Sequence, residues 1–127
     1  MKILGSGIDI VEIQRIKDIV SKNEIRFTEK ILHSQEIAEL ANEKNTMSFI
    51  AKRFAVKEAA AKALGTGIGK QLGFTDMYVE HDHLGKPILK FTEDCITKLH
   101  LENTCALLTI ADEQSYAVAH VLLYTDS

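Results

Sequence analysis

An α+β fold with a mainly antiparallel sheet and a long central helix is what this sequence predicts, on three observations. The first is the order of its patterns: strand, several helices, hairpin, helix, hairpin. The second is a proline-free, alanine-rich stretch from about Met47 to Leu64, closed by glycines. The third is two pairs of alternating segments, Leu72 to His81 with Pro87 to Phe91, and Thr104 to Ala111 with Tyr116 to Tyr124. The 127 residues suit one domain spanning 1–127.

Composition narrows the function. Apolar and charged residues make up 46% and 26% of the chain, a globular balance that argues against disorder. A net charge of -3 argues against a nucleic-acid binder held by electrostatics. The cations are nevertheless clumped: Lys52, Arg53, Lys57 and Lys62 surround the lone acid Glu58. A local cationic patch on an acidic protein suits a small anion such as a phosphate group. Cys95 and Cys105 lack metal spacing and read as free thiols in a reducing compartment. Asp9 and Glu12 interrupt the N-terminal apolar run, no cleavage site follows, and no stretch approaches membrane-spanning length. The expectation is a soluble cytoplasmic protein.

Residues 3–11, ILGSGIDIV, alternate as a strand, with Gly5, Gly7 and Asp9 on one face and Leu4, Ser6, Ile8 and Ile10 on the other. The glycines leave room for a backbone or a ligand to come close. Asp9 and Glu12 have capping-box spacing, so Asp9 reads first as the cap of a helix and second as a metal ligand. That helix, Glu12 to Lys22, turns Ile13, Ile16, Ile19 and Val20 inward. Asn23 breaks it, and Ile25 to Leu32 forms a second helical piece. Arg15, Lys22 and Arg26 follow at spacings that allow one shared face, on its own an ordinary solvated face. Ser34 reads as the N-cap of a helix to about Glu43, with Glu36 set against the macrodipole.

The central helix carries its charges oddly. Its cations point in several directions rather than along one wet face. Glu58 shares a sector with Met47, Ala51, Phe54 and Ala61 that should be largely buried, and an acid there needs a partner, a metal ion or Lys62. The run Gly65 to Lys70 imitates a P-loop, but it follows its helix instead of preceding it, and Gln71 stands where a magnesium-binding hydroxyl belongs. Gly65 is more simply a C-cap, while Gly67 and Gly69 still let a backbone pass close to a nucleotide. Asp82 to Lys86 is a turn, Pro87 sits at a strand start where it is tolerated, and Thr92 to Leu101 reads as a helix. The five histidines form no metal set. Spacing alone supports an anion-binding α+β domain, with room for a metal ion to assist.

Two blocks go further: GIDIVEIQR, Gly7 to Arg15, and RFAVKEAAAKALGTG, Arg53 to Gly67. In this order and this far apart they resemble the holo-[acyl-carrier-protein] synthases, the small type of 4'-phosphopantetheinyl transferase. The likeness continues through GIGKQLGF, the turn LGKP and the closing TIADEQSYA. It implies transfer of the 4'-phosphopantetheine group of coenzyme A to a serine of apo acyl carrier protein, in support of fatty acid biosynthesis, with release of adenosine 3',5'-bisphosphate and dependence on Mg2+. It assigns the metal to Asp9 and Glu58, overturning the cap-first reading of Asp9. It turns Lys62 towards the pyrophosphate, where the plain reading is an ion pair with Glu58 one turn away. Asp9, Glu58 and Lys62 are then the catalytic set. Arg53, Phe54, Gly65, Gly67 and Gly69, with Lys62, would line the nucleotide pocket. It implies a homotrimer with sites at subunit interfaces, and a first helix that docks the acidic carrier through Arg15, with Lys22 and Arg26 behind it.

The chain departs from the pattern at one point: Leu107 stands where many members carry a histidine. Two other functions stand beside the main one. A broad-specificity transferase for peptide-synthesis carriers is opposed by length, since such enzymes usually hold two such halves in one chain. A non-catalytic nucleotide-binding trimer is opposed by the intact Asp9, Glu58 and Lys62 and supported by Leu107.

Overall fold

The computed structural model describes residues 1–126. In chain order the elements are β1 (Lys2–Glu12), α1 (Ile13–Lys22), α2 (Glu24–Ile31), α3 (Ser34–Leu40), α4 (Thr46–Leu64), β2 (Met77–His81), β3 (Pro87–Phe91), α5 (Glu93–Leu99), β4 (Thr104–Asp112) and β5 (Tyr116–Thr125). The strands make two antiparallel sheets, one of order β1-β5-β4 and one hairpin, β2-β3. The chain's two ends thus meet in one sheet, with Gly7 opposite Val121 and Asp9 opposite Ala119.

α4 lies against one face of the larger sheet. It is an alanine-rich rod of 19 residues held between an Asn45 side chain that accepts from the Ser48 amide and a left-handed Gly65 at φ 79°. Ala51, Ala55, Ala59, Ala60 and Ala61 are fully buried, as are Val121 and Leu123 of β5. Small side chains let the helix sit close to the strands, while each buried Leu or Ile contributes roughly 1.5–3 kcal/mol from burial.

The helix packs on several sides at once, which explains why its cations show no single wet face. Lys57 is completely buried and Arg53 is 3% exposed. Both reach the buried Glu36 of α3. Its Oε1 accepts from Lys57 Nζ, Arg53 Nε lies 3.3 Å from Oε2, and the Val79 amide donates to Oε2 at 3.0 Å. Lys57 also donates to the Ile31 carbonyl at 2.6 Å. The Glu36 carboxylate therefore ties α3, α4 and β2 together, and Lys57 adds α2. Glu36 does sit in the first turn of α3, as expected, and is in addition the internal counter-charge of the fold.

Local expectations fail at three places for physical reasons. Asp9 caps no helix, because β1 runs on to Glu12 and α1 begins at Ile13 with no side-chain cap. The α3 cap is His33, not Ser34: His33 Nδ1 accepts from the Gln35 amide while Glu36 accepts from the His33 amide. The strand expected from Leu72 begins only at Met77, because Phe74–Asp76 forms a 3-10 turn in which Asp76 accepts from the Gly73 amide. The Asp82–Lys86 turn is held by Asp82 Oδ1, which accepts from the Leu84 and Lys86 amides.

Candidate functional site

The site is the seam between β1 and α4, and its position follows from two residues without side chains. A Cβ built on Gly7 would lie 2.0 Å from the Ala59 carbonyl oxygen, and one on Gly5 would lie 2.0 Å from that of Ala63. The strand and the helix backbone touch directly there. Any larger residue would force them apart, since the obstacle is main chain and has no rotamer to yield. The next residue on the same strand face is Asp9. The contact therefore delivers Asp9 to the stripe of α4 that carries Phe54, Glu58 and Lys62 at four-residue spacing.

Lys62 Nζ donates to Asp9 Oδ1 at 3.1 Å and to the Ile8 carbonyl at 2.9 Å. The simple expectation of a Glu58–Lys62 pair along the helix is thus replaced by a pair across the seam, because the strand offers two acceptors at once. The Asp9 side chain is 17% exposed and that of Lys62 54% exposed, so the pair opens to solvent on one side. Glu58 is half-buried beside them. Burial pushes its carboxyl above the usual glutamate range and the Asp9 charge pushes the same way, while Lys62 and Arg15 oppose both. An acid disfavoured by a neighbouring acid is the electrostatic signature of a place that gains from a cation.

The fit to a divalent ion can be judged on these residues. The Asp9 charge reaches the half-buried Glu58 and raises the cost of ionising it, and an ammonium already stands on Asp9 as a stand-in cation. Among the described residues no group of three or more His, Cys, Asp or Glu side chains comes together. Two carboxylates suit Mg2+, which usually fills its octahedral shell with water and substrate phosphate.

The other expected site residues divide. Phe54 stands one turn before Glu58, its ring 5.6 Å from that of Phe74. Gly65, Gly67 and Gly69 lie at the end of α4 with open space where a Cβ would stand, and Gly65 and Gly67 hold positive φ. Arg53 is not brought to the seam. Its guanidinium lies 4.4 Å from the centre of the Phe49 ring and is engaged by Glu36 and Glu39. Its burial and these two acids set it apart from the residues gathered at the seam. The cationic patch shrinks accordingly, since Lys57 is also consumed internally.

Lys22 and Arg26 line one cleft of about 410 Å³ between α1 and α2, together with Ile19, Asn23, Phe27 and Lys30. Arg15 does not line that cleft; its charge acts on Glu58. Sequence reasoning missed Lys30, although it lies one turn beyond Arg26. It also missed the polar spot on the outer face of the larger sheet, where Ser6 Oγ and His120 Nε2 are 2.9 Å apart. Around that spot Ile8 is 60%, Ile10 64% and Leu107 46% exposed. Cys95 and Cys105 are both free thiols; burial pushes Cys95 up to about 11, which keeps it unreactive. No helix among the described residues is long and apolar enough to cross a membrane.

Comparison with known proteins bears on this seam. A family model described as the 4'-phosphopantetheinyl transferase superfamily matches residues 5–121. A holo-[acyl-carrier-protein] synthase of Shewanella baltica is 42% identical over 97% of this chain and 98% of its own length. A crystal structure of a holo-(acyl-carrier-protein) synthase from Bacillus anthracis in complex with CoA (3',5'-ADP) superposes with a TM-score of 0.84 at 38% identity, covering 99% of this chain and 100% of the other. The holo-[acyl-carrier-protein] synthase of Neisseria meningitidis superposes with a TM-score of 0.91 at 34% identity, covering 97% of this chain and 99% of the other.

Proposed function

The chain belongs to the 4'-phosphopantetheinyl transferase superfamily, and from that premise we propose that it transfers the 4'-phosphopantetheine group of coenzyme A to a serine of apo acyl carrier protein. The observation that carries this reading is the convergence of Asp9, Glu58 and Lys62 at one solvent-open seam, in a chain matched over nearly its whole length.

In the reaction the serine hydroxyl oxygen attacks the β-phosphorus of coenzyme A. The bond from that phosphorus to the bridging oxygen breaks, and adenosine 3',5'-bisphosphate leaves. Such transfers need alignment and charge stabilisation more than covalent help from the protein. Asp9 and Glu58 would hold Mg2+, which when bound polarises the β-phosphate and neutralises charge on the leaving group. Lys62, on a flexible and half-exposed stem, donates to the diphosphate. Glu58, directly or through a water, receives the serine proton. Phe54 and the open glycine turn Gly65, Gly67, Gly69 form the nucleotide wall.

Arg15, Lys22 and Arg26, joined by Lys30, offer a cationic surface to the acidic carrier. Raising salt should therefore raise the Michaelis constant for the carrier, since such contacts are screened; a salt-insensitive constant would count against this docking surface. The outer face of the larger sheet, with Ile8, Ile10 and Leu107 exposed, supports self-association as a homotrimer. A cytoplasmic place in fatty acid biosynthesis follows from the substrate pair.

Incubation with coenzyme A, Mg2+ and apo carrier protein, followed by mass spectrometry of the carrier, tests the function. A gain of one phosphopantetheine on the fatty-acid carrier is expected. No gain on any carrier would leave only a nucleotide-binding module, and equal gain on peptide-synthesis carriers would indicate the broad enzyme.

A further inference from the structure

Lys62 is bound where a cation should go. Its ammonium bridges Asp9 Oδ1 at 3.1 Å and the Ile8 carbonyl at 2.9 Å, both from β1, while Glu58 beside it has no such partner on the helix. The geometry points to Lys62 as a resident competitor for the divalent ion: its ammonium holds Asp9 until a diphosphate draws it away, so arrival of coenzyme A and loading of the metal are coupled. This rests on the proposed metal role of Asp9 and Glu58.

The physical case has three parts. A carboxylate shared by an ammonium and a divalent ion places two cations within a few ångströms of each other, which is repulsive at a half-buried site. The Lys62 bond to Asp9 is nevertheless easy to give up. Its side chain is 54% exposed, and an ammonium on a flexible stem can exchange one acceptor for another with little reorganisation. The diphosphate is the stronger lure, because it is more highly charged than one carboxylate. When Lys62 turns to it, Asp9 regains its full charge beside Glu58, and the pair can then hold the metal. By linkage, the metal must tighten coenzyme A by the same factor as coenzyme A tightens the metal.

The coupling differs from a general field effect, and Arg15 supplies the control. Lys62 and Arg15 both act on Glu58 as positive charges, but the Asp9 ion pair belongs to Lys62. Mn2+ titrations read by electron paramagnetic resonance, without carrier protein, would compare wild type, Lys62→Met and Arg15→Met, each with and without coenzyme A. Lys62→Met is expected to bind Mn2+ more tightly than wild type when coenzyme A is absent, by roughly fivefold or more, and clearly more tightly than Arg15→Met. Its tightening by coenzyme A should be smaller than in wild type. Equal gains in the two variants would reduce the effect to field alone and overturn the coupling, as would Lys62→Met binding no better than wild type or not at all. Asp9→Asn binding Mn2+ as well as wild type would overturn the metal assignment itself. Phosphopantetheine transfer by the wild-type protein, measured separately, tests the activity whatever the Mn2+ result.

Discussion

Two lysine–carboxylate pairs lie less than two turns apart on α4, and they do different things. Lys57 and Glu36 are both fully buried, and every polar atom of the pair is engaged: Glu36 by Lys57, Arg53, Val79 and His33, Lys57 by Glu36 and Ile31. Lys62 and Asp9 are bonded at 3.1 Å but remain 54% and 17% exposed. Burial pulls the Lys57 ammonium below the ordinary lysine value, and Glu36 pulls it back. The sealed pair has no capacity left for a ligand, so it positions helices. The open pair has a half-free carboxylate, a mobile ammonium and a second acid, Glu58, within reach. Burial, rather than residue type or spacing, separates structure from chemistry here.

The largest effect should come from breaking the sealed pair. Glu36→Ala strands two buried cations and is expected to lower stability by about 3–5 kcal/mol, read from the urea midpoint. Replacing Glu36 and Lys57 together with apolar residues of similar size should recover much of that loss. If the single and double variants are equally unstable, the ion pair is not what holds α3 to α4.

Breaking the open pair should do the reverse. Asp9→Asn is expected to reduce transfer by about 10²-fold or more with little change in urea midpoint. Lys62→Ala should likewise cost only about 0–1 kcal/mol of stability while turnover falls much further. A Lys62→Ala protein that unfolds like Glu36→Ala would erase the contrast, and one that turns over at the wild-type rate would remove Lys62 from the reaction.

The smallest effect is a pH dependence of stability. Glu58 is raised in the folded protein, so folding favours its neutral form. The cost of ionising it is absent below the unfolded value and grows as pH rises through the folded one. Glu58→Gln, compared with wild type in a metal chelator, should be slightly more stable at about pH 8 and equal at about pH 4. A gain that persists in acid would point to packing instead. With Mg2+ saturating, Glu58→Gln should remove the acid limb of the pH–rate profile, with metal affinity measured alongside.

Much of this contrast was invisible in the linear chain. Lys57 and Lys62 look alike in an alanine-rich helix, and Glu36 shows only its helix-start role, which it keeps alongside the buried one. Arg53 sits inside the central block, yet it faces Glu36 and Phe49 because one residue's step around a helix turns it away from Phe54 and Glu58. Asp9 matched a capping box because capping boxes and strand ends share residue types; pairing of β1 with β5 kept it in a strand. Gly5 and Gly7, by contrast, were legible as places of close approach, although not as the contact with Ala59 and Ala63.

By itself the sequence determined the order of elements, the antiparallel hairpins, the helix ending at Gly65 and the family, because periodicity, turn chemistry and dense motifs are local properties. Only the tertiary structure decided which cations are spent inside and which remain for a ligand. That depends on how close β1 comes to α4 and where Glu36 lands, and such contacts join residues far apart along the chain.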